Sequence, residues 1–326
     1  MSAQSDPTQS SSPLLEPSGR RRTVLVIGAS GFVGRHVVRT LLADGHKVRC
    51  LARRPSRIQD LAAAGCEVAQ GDLLDAASVD RALVGVQAVY ICTHTLSPQG
   101  ASEPGQDFMD VELSGLRNVV GGCKANGVRR VLYVTFIGVA QHGQSAWSRG
   151  RWKAEQYLFA SGLDVTVFRP GMIVGQGGTG FEAVLSGARR PFAVGMGSGA
   201  QLMRTVAVGD LAYYLVGVLD EPRSFGHHYD VGSDDVLTVD QMTDLAAQAL
   251  GRRPPLKIHI PLALLKRLAP LIERAGKMPR GSFSGLVDGL RTDMDGDPAP
   301  IRRLLGRPPE SYSQSLKRAL GIGATS

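Results

Sequence analysis

The chain has 326 residues, a net charge of +8 and 43% apolar residues, enough for a full core in one large α/β domain with an appended lobe or in two domains. No apolar run approaches the roughly 18 residues of a membrane-spanning helix, and four scattered cysteines without a CxxC pair argue against a zinc site or a disulfide framework and suit a reducing cytoplasm. The charge is uneven: residues 251–326 carry 14 Lys and Arg against 6 Asp and Glu, a local net of +8, which leaves residues 1–250 balanced.

Residues 1–20, rich in Ser, Pro and Gln, predict a disordered lead-in. Arg20-Arg21-Arg22 before Thr23–Ile27 superficially resembles a signal peptide, but the apolar run is too short and reads as the first strand. That strand runs into Gly28, Gly31 and Gly34, a GxxGxxG turn opening a helix whose apolar face is Val33, Val37, Val38, Leu41 and Leu42. Gly28 permits the tight turn, Gly31 lets backbone approach a phosphate, and Gly34 seats the helix on the strand. Ser30, Phe32 and Val33 lie between them, where N–H groups and the helix dipole meet an anion.

Gly45 ends the helix, and Lys47–Ala52 is the second strand of a βαβ unit suited to a dinucleotide pyrophosphate. It ends in Arg53-Arg54, with no carboxylate before Asp60. A guanidinium pair suits a 2′-phosphate where an NAD site usually wants an acid, so NADP(H) is expected over NAD(H).

Further on, Ile58–Ala64 reads as helix, Glu67–Ala69 as strand, Ala76–Val84 as helix and Ala88–Cys92 as the fourth strand. A long helix is expected from about Gln106 to Ala125, a fifth strand at Arg130–Thr135, a helix at Trp147–Ala160 and a sixth strand at Asp164–Phe168. This alternation predicts a doubly wound parallel Rossmann sheet over residues 21–175. Residues 176–326 then supply a substrate-side loop and a smaller, mostly helical lobe, interleaved with the main sheet.

Gly175 to Arg204 reads as a flexible glycine-rich loop over a site. A helix at Val208–Leu219 and a short strand at Tyr229–Val231 follow. Thr238 to Gln241 forms a capping box for a helix to Leu250, and further helices lie near Pro261–Ala275, Ala299–Leu305 and Tyr312–Leu320. The Pro261–Ala275 helix reads first as packed on the main domain and second as a membrane-surface helix.

VLVIGASGFVGRHVV, GDLLD, RVLYVTFIGV and WSRGRWKAEQYLFASGLDVTVFRPGMIVG together resemble the extended and atypical short-chain dehydrogenase/reductases over roughly residues 22–250. Within that group the chain resembles the nucleotide-binding accessory subunit of respiratory complex I and its bacterial relatives, and its tail, LVDGLRTDM followed by PIRRLLGRPPESYSQSLKRAL, also looks like that branch. The resemblance implies adenine recognition by Asp72 and Leu73, a pyrophosphate or ribose border at Thr93 and His94, and a nicotinamide-side turn at Pro170, Gly171 and Met172.

In such enzymes a tyrosine four residues before a lysine transfers the proton, aided by a serine or threonine after the fifth strand. Here Lys153 stands in the corresponding helix, but Arg149 precedes it by four. Thr135 and Ile137 are the candidates after the strand, and His142 is a substitute acid. The resemblance therefore implies NADP(H)-dependent hydride transfer to a carbonyl, enone or quinone-like small molecule without the usual tyrosine. A non-catalytic NADPH-binding accessory or redox sensor, and a nucleotide-sugar epimerase or dehydratase, are the alternatives.

His227-His228 lack acidic or cysteine company, so no metal site is expected. The basic tail suits a solvated helical surface first, and an acidic protein or peripheral membrane contact second; no nucleic-acid partner is expected.

Overall fold

The computed structural model describes residues 21–93, 108–276, 278 and 281–322. The expected lead-in over residues 1–20, the start of the helix expected at Gln106, and His94 lie outside the described residues. Along the chain the elements are β1 (Thr23–Ile27), α1 (Phe32–Ala43), β2 (Lys47–Ala52), α2 (Gln59–Ala63), β3 (Glu67–Gln70), α3 (Ala76–Leu83), β4 (Ala88–Ile91) and α4 (Phe108–Ala125). Then come β5 (Arg130–Val134), α5 (Ala146–Phe159), β6 (Asp164–Pro170), β7 (Met172–Val174), α6 (Thr179–Ala188), β8 (Phe192–Met196), β9 (Met203–Ala207) and α7 (Val208–Gly217). The last are β10 (His227–Val231), β11 (Val236–Leu237), α8 (Val239–Ala249), β12 (Leu256–Ile260), α9 (Leu262–Ala275), α10 (Ser282–Gly289), α11 (Ala299–Leu305) and α12 (Tyr312–Leu320).

The main sheet has seven parallel strands in the order β10-β6-β5-β4-β1-β2-β3. Alternate side chains of β1 enter opposite layers, as the two-residue strand period requires. Val24 and Val26 join Val37, Val38 and Leu41 of α1 and Leu211 and Leu215 of α7. Leu25 and Ile27 join Val79 and Leu83 of α3, Leu116 and Val119 of α4, and Leu158 of α5. The strand order reverses between β1 and β4, which opens a crevice at the carboxyl ends of the strands.

A second layer stands over that crevice. It contains β11-β9-β7, the parallel ribbon β12-β8, and a core of α6, α8 and α12 built on Phe181, Leu185, Met242, Ala246, Tyr312 and Leu316. The chain returns from this layer to the main sheet through β10, which pairs with β6, and α7, which packs on α1. Buried Asp210 ties α7 to the tail by accepting from Arg307 Nη2 at 2.8 Å and from the Glu310 backbone N–H at 2.7 Å.

The flexible loop expected over Gly175–Arg204 is instead β8, the start of β9 and the amphipathic helix α6, which buries Phe181, Val184, Leu185 and Ala188 at 3- and 4-residue spacing. Its glycines serve close packing: a β-carbon at Gly178 would stand 2.9 Å from Cε1 of the Phe32 ring, and one at Gly175 3.0 Å from Cζ. β12 and α10 were not among the expected elements. Among the described residues no helix is long and apolar enough to cross a membrane.

Candidate dinucleotide and substrate cleft

The glycine turn builds one end of a cleft of about 1520 Å³, larger than the roughly 300–1,000 Å³ of an ordinary small-molecule pocket. Gly28 has φ +91, and a β-carbon there would lie 2.8 Å from the backbone of Cys92 at the end of β4. At Gly34 a β-carbon would lie 2.2 Å from the Gly28 carbonyl oxygen, so the first turn of α1 rests directly on the glycine turn. Gly31 caps α1 without any side-chain hydrogen bond, leaving the first N–H groups of the helix directed at the cleft. A backbone cradle with a bare helix N-terminus fits a diphosphate.

Gly28, Ser30, Gly31, Phe32, Val33, Arg53, Arg54, Asp72, Leu73, Thr93, Pro170, Gly171 and Met172 all line this cleft. Arg35, Arg39 and Arg57 join Arg53 and Arg54 at the β2 end. Asp60 answers part of that charge: it accepts from Arg35 Nη1 at 2.5 Å, and this bond holds its carboxyl below the usual range. Asp72 Oδ1 accepts from the Leu74 N–H at 2.9 Å, while Oδ2 lies 3.9 Å from Arg53 Nε, fixing the acid beside the cation cluster. His36, bound through Nδ1 to the Phe32 carbonyl at 3.0 Å, has its pKa lowered by burial.

At the other end the expected catalytic residues do not come together. Lys153 is exposed, and neither it, Thr135 nor His142 lies on the cleft wall. Thr135 is buried and donates to Glu155 Oε1 at 2.7 Å, and Glu155 in turn accepts from Arg169 Nε at 3.1 Å. His142 sits exposed in the loop before α5, and Arg149 turns back to that loop, donating to the carbonyls of Gly143 at 2.6 Å and Gln144 at 2.9 Å. Ile137 is buried, its N–H bound to the Pro170 carbonyl.

The inward face of α5 is set two residues earlier than expected. Trp147 lines the cleft, and four residues on, Arg151 is buried. The Trp147 ring stacks on Phe136, the residue after Thr135, with centroids 4.0 Å apart and planes at 15°. Arg151 Nη1 stands 2.7 Å from Glu112 Oε1 of α4 and donates to the Tyr133 hydroxyl at 2.9 Å, and that hydroxyl donates to Glu112. Glu112 forms part of the cleft wall. Sequence reading missed Phe136, Trp147, Glu112 and Arg151; the i, i+4 spacing that puts Trp147 and Arg151 on one face of the helix was the signal available. Beyond this aromatic wall the cleft is lined by Val184, Met196, Met203, Val239, Leu290 and Met294, with Gln176, Thr179, Gln201, Asp240 and Thr243 among its polar side chains.

Doubly wound sheet, switch-point crevice and bare glycine-turn helix together define a dinucleotide-binding α/β protein. The chain belongs to the NAD(P)H-binding family, which it matches over residues 28–222. It is 28% identical to sterol demethylase protein B of Methylococcus capsulatus, over 91% of this chain and 97% of that one. It is also 28% identical to (4-alkanoyl-5-oxo-2,5-dihydrofuran-3-yl)methyl phosphate reductase of Streptomyces griseus, over 89% and 95%. NADPH-dependent quinone oxidoreductase of Escherichia coli, solved with NADPH, shares the fold at a TM-score of 0.72 and 21% identity, covering 91% of this chain and 99% of its own. The likeness to the complex I accessory subunit rests on the sequence motifs alone.

Proposed function

We propose that this chain is an NADP(H)-dependent reductase of an apolar conjugated carbonyl compound, an enone or quinone before a simple ketone. The observation that carries the reading is the continuity of one cleft from the glycine cradle, past the Phe136–Trp147 wall, into a chamber of aliphatic and methionine side chains.

The bare N–H groups of Phe32 and Val33 hold the diphosphate, and Asp72 and Leu73 border the adenine. Arg53 and Arg54 take the 2′-phosphate, for which a guanidinium fork is the matching donor. Thr93, Pro170, Gly171 and Met172 border the nicotinamide, which when bound supplies a hydride to an electrophilic carbon.

The lack of a Tyr–Lys acid on α5 selects the acceptor. Hydride addition to an isolated carbonyl leaves a localised alkoxide that needs a positioned acid, whereas an enone or quinone leaves a delocalised, weakly basic oxyanion that water protonates. Phe136 and Trp147 offer a flat apolar face to such a conjugated system. The names of the two relatives, one a sterol demethylase protein and one a reductase of an alkanoyl-bearing compound, support an apolar oxygenated substrate.

A second reading, a non-catalytic NADPH sensor, is favoured by the same Phe136–Trp147 stack standing where the acid would be. Steady consumption of NADPH with a panel of quinones, enones and ketones tests the choice. Turnover with conjugated acceptors supports the reductase; tight NADPH binding with no turnover on any of them leaves the sensor.

A further inference from the structure

The ribbon β8–β12 has one face that nothing in the described fold covers. Its parallel register sets Phe192 beside Leu256, Val194 beside Ile258 and Met196 beside Ile260. Alternate residues share a face, so all six of these apolar side chains point the same way. Leu256 is 71% exposed and Val194 60%, with Phe192 and Ile258 about half exposed. The inner alternates, Ala193 and Gly195, line the cleft.

Helix α9 leaves the end of the ribbon at Pro261 and repeats the pattern. It buries Leu265 and Ala269 but exposes Leu264, Leu268 and Leu271, a stripe at 4- and 3-residue spacing. Solvent-exposed aliphatic faces of this extent mark a docking surface.

The exposed charges that the ribbon and α9 themselves carry are positive, and the acids that reach them from neighbouring elements are paired, Asp244 with Lys257, Asp240 with His259 and Asp288 with Lys266. Both strands start from exposed arginines, Arg189-Arg190 before β8 and Arg252-Arg253 before β12, so the cations gather at one end of the ribbon. Arg267 and Arg274 flank the leucine stripe of α9. No Asp or Glu occurs between residues 183 and 203 or between residues 252 and 272. A second copy of the chain would set arginines against arginines, whereas an anionic lipid surface answers both the cations and the aliphatic face.

The surface also meets the cleft. Val194 and Met196 are exposed on the ribbon and belong to the cleft wall, so the mouth of the chamber opens beside the docking face.

We propose that the β8–β12 ribbon and α9 form a docking surface for an anionic lipid bilayer, which places the cleft mouth at the lipid interface. Delivery of an apolar substrate from the bilayer rests on the reductase reading; docking itself does not.

The test is co-sedimentation of the full chain with vesicles of pure phosphatidylcholine and with vesicles of equal parts phosphatidylcholine and phosphatidylglycerol. The expected result is binding to the mixed vesicles that salt weakens and little binding to phosphatidylcholine. Arg252→Glu with Arg253→Glu, and separately Leu256→Ser with Ile258→Ser, each weaken that binding about tenfold or more. NADPH binding in solution stays unchanged in both double variants, which separates loss of docking from misfolding and from failure of the reductase reading.

Equal binding to both vesicle types, or none to either, overturns the proposal. Loss in the arginine pair alone reduces the surface to general charge attraction and overturns it too. A concentration-dependent dimer that the Leu256→Ser and Ile258→Ser pair dissolves assigns the face to a second copy instead.

Discussion

Arg53 and Arg54 stand on the cleft wall beside Asp72, with Arg35, Arg39 and Arg57 around them. Each guanidinium lost from a charged contact removes about 1.5–3 kcal/mol. Arg53→Ala and Arg54→Ala are therefore expected to weaken NADPH about tenfold to a hundredfold while NADH changes by less than about threefold. Fluorescence titration of the two cofactors reads this directly, and equal losses for both would remove the 2′-phosphate assignment.

On α5 the contrast is between a surface cation and a buried one. Lys153→Ala should leave NADPH affinity and turnover within about twofold, because exposed substitutions away from the cleft change little. Arg151→Met should cost about 3–5 kcal/mol of stability, because it strands the Glu112 carboxylate in a buried site. Urea unfolding of the two variants checks the pair, and a large effect of Lys153→Ala on turnover would restore the lysine to the site.

Among the elements, the β1–turn–α1 junction is the most constrained. Gly34→Ala puts a β-carbon against the Gly28 carbonyl oxygen and lifts α1 off the turn, at a cost of about 1–3 kcal/mol. Dinucleotide affinity and melting temperature should fall together. Gly121→Ala on the exposed side of α4, where nothing stands within 4 Å of the added carbon, should instead raise stability by about 0.5–1 kcal/mol. Thermal unfolding of both variants with and without NADPH distinguishes a packing glycine from a merely permissive one.

The elements also show which signals the sequence carries. The strands of the main sheet and helices α1, α3, α8, α9, α11 and α12 follow from apolar periodicity and caps, and the Thr238–Gln241 capping box forms as expected. Helix α6 was hidden because its glycines lower intrinsic helix propensity, although Phe181, Val184, Leu185 and Ala188 keep the helical period. Strand β12 carries an open alternation, with Leu256, Ile258 and Ile260 on one face and Lys257 and His259 on the other, yet its apolar face has no partner in the described fold.

On α5 sequence pattern and packing point to different residues. The family pattern matches on Lys153, whereas tertiary packing buries Arg151 and sets Trp147 on the cleft wall. The cofactor cradle was legible because glycine turns act through local backbone geometry. The aromatic wall was not, because Phe136, Trp147 and Glu112 meet only once three separate elements pack.

At the scale of the whole molecule, the main sheet holds the dinucleotide cradle, and the second layer turns an open crevice into a chamber with apolar walls. Residues 251–326, which carry the excess positive charge, also supply Leu286, Leu290 and Met294 to the cleft wall. In the proposed reductase a hydride crosses from the cradle into this chamber and water supplies the proton.

The most direct measurement uses NADPH carrying deuterium at the transferable C4 position with a conjugated apolar acceptor, followed by mass spectrometry and NMR of the product. The account predicts one deuterium on the reduced carbon framework of an enone, with the second hydrogen taken from solvent. Tightly bound NADPH that transfers no deuterium to any acceptor in the panel would contradict it.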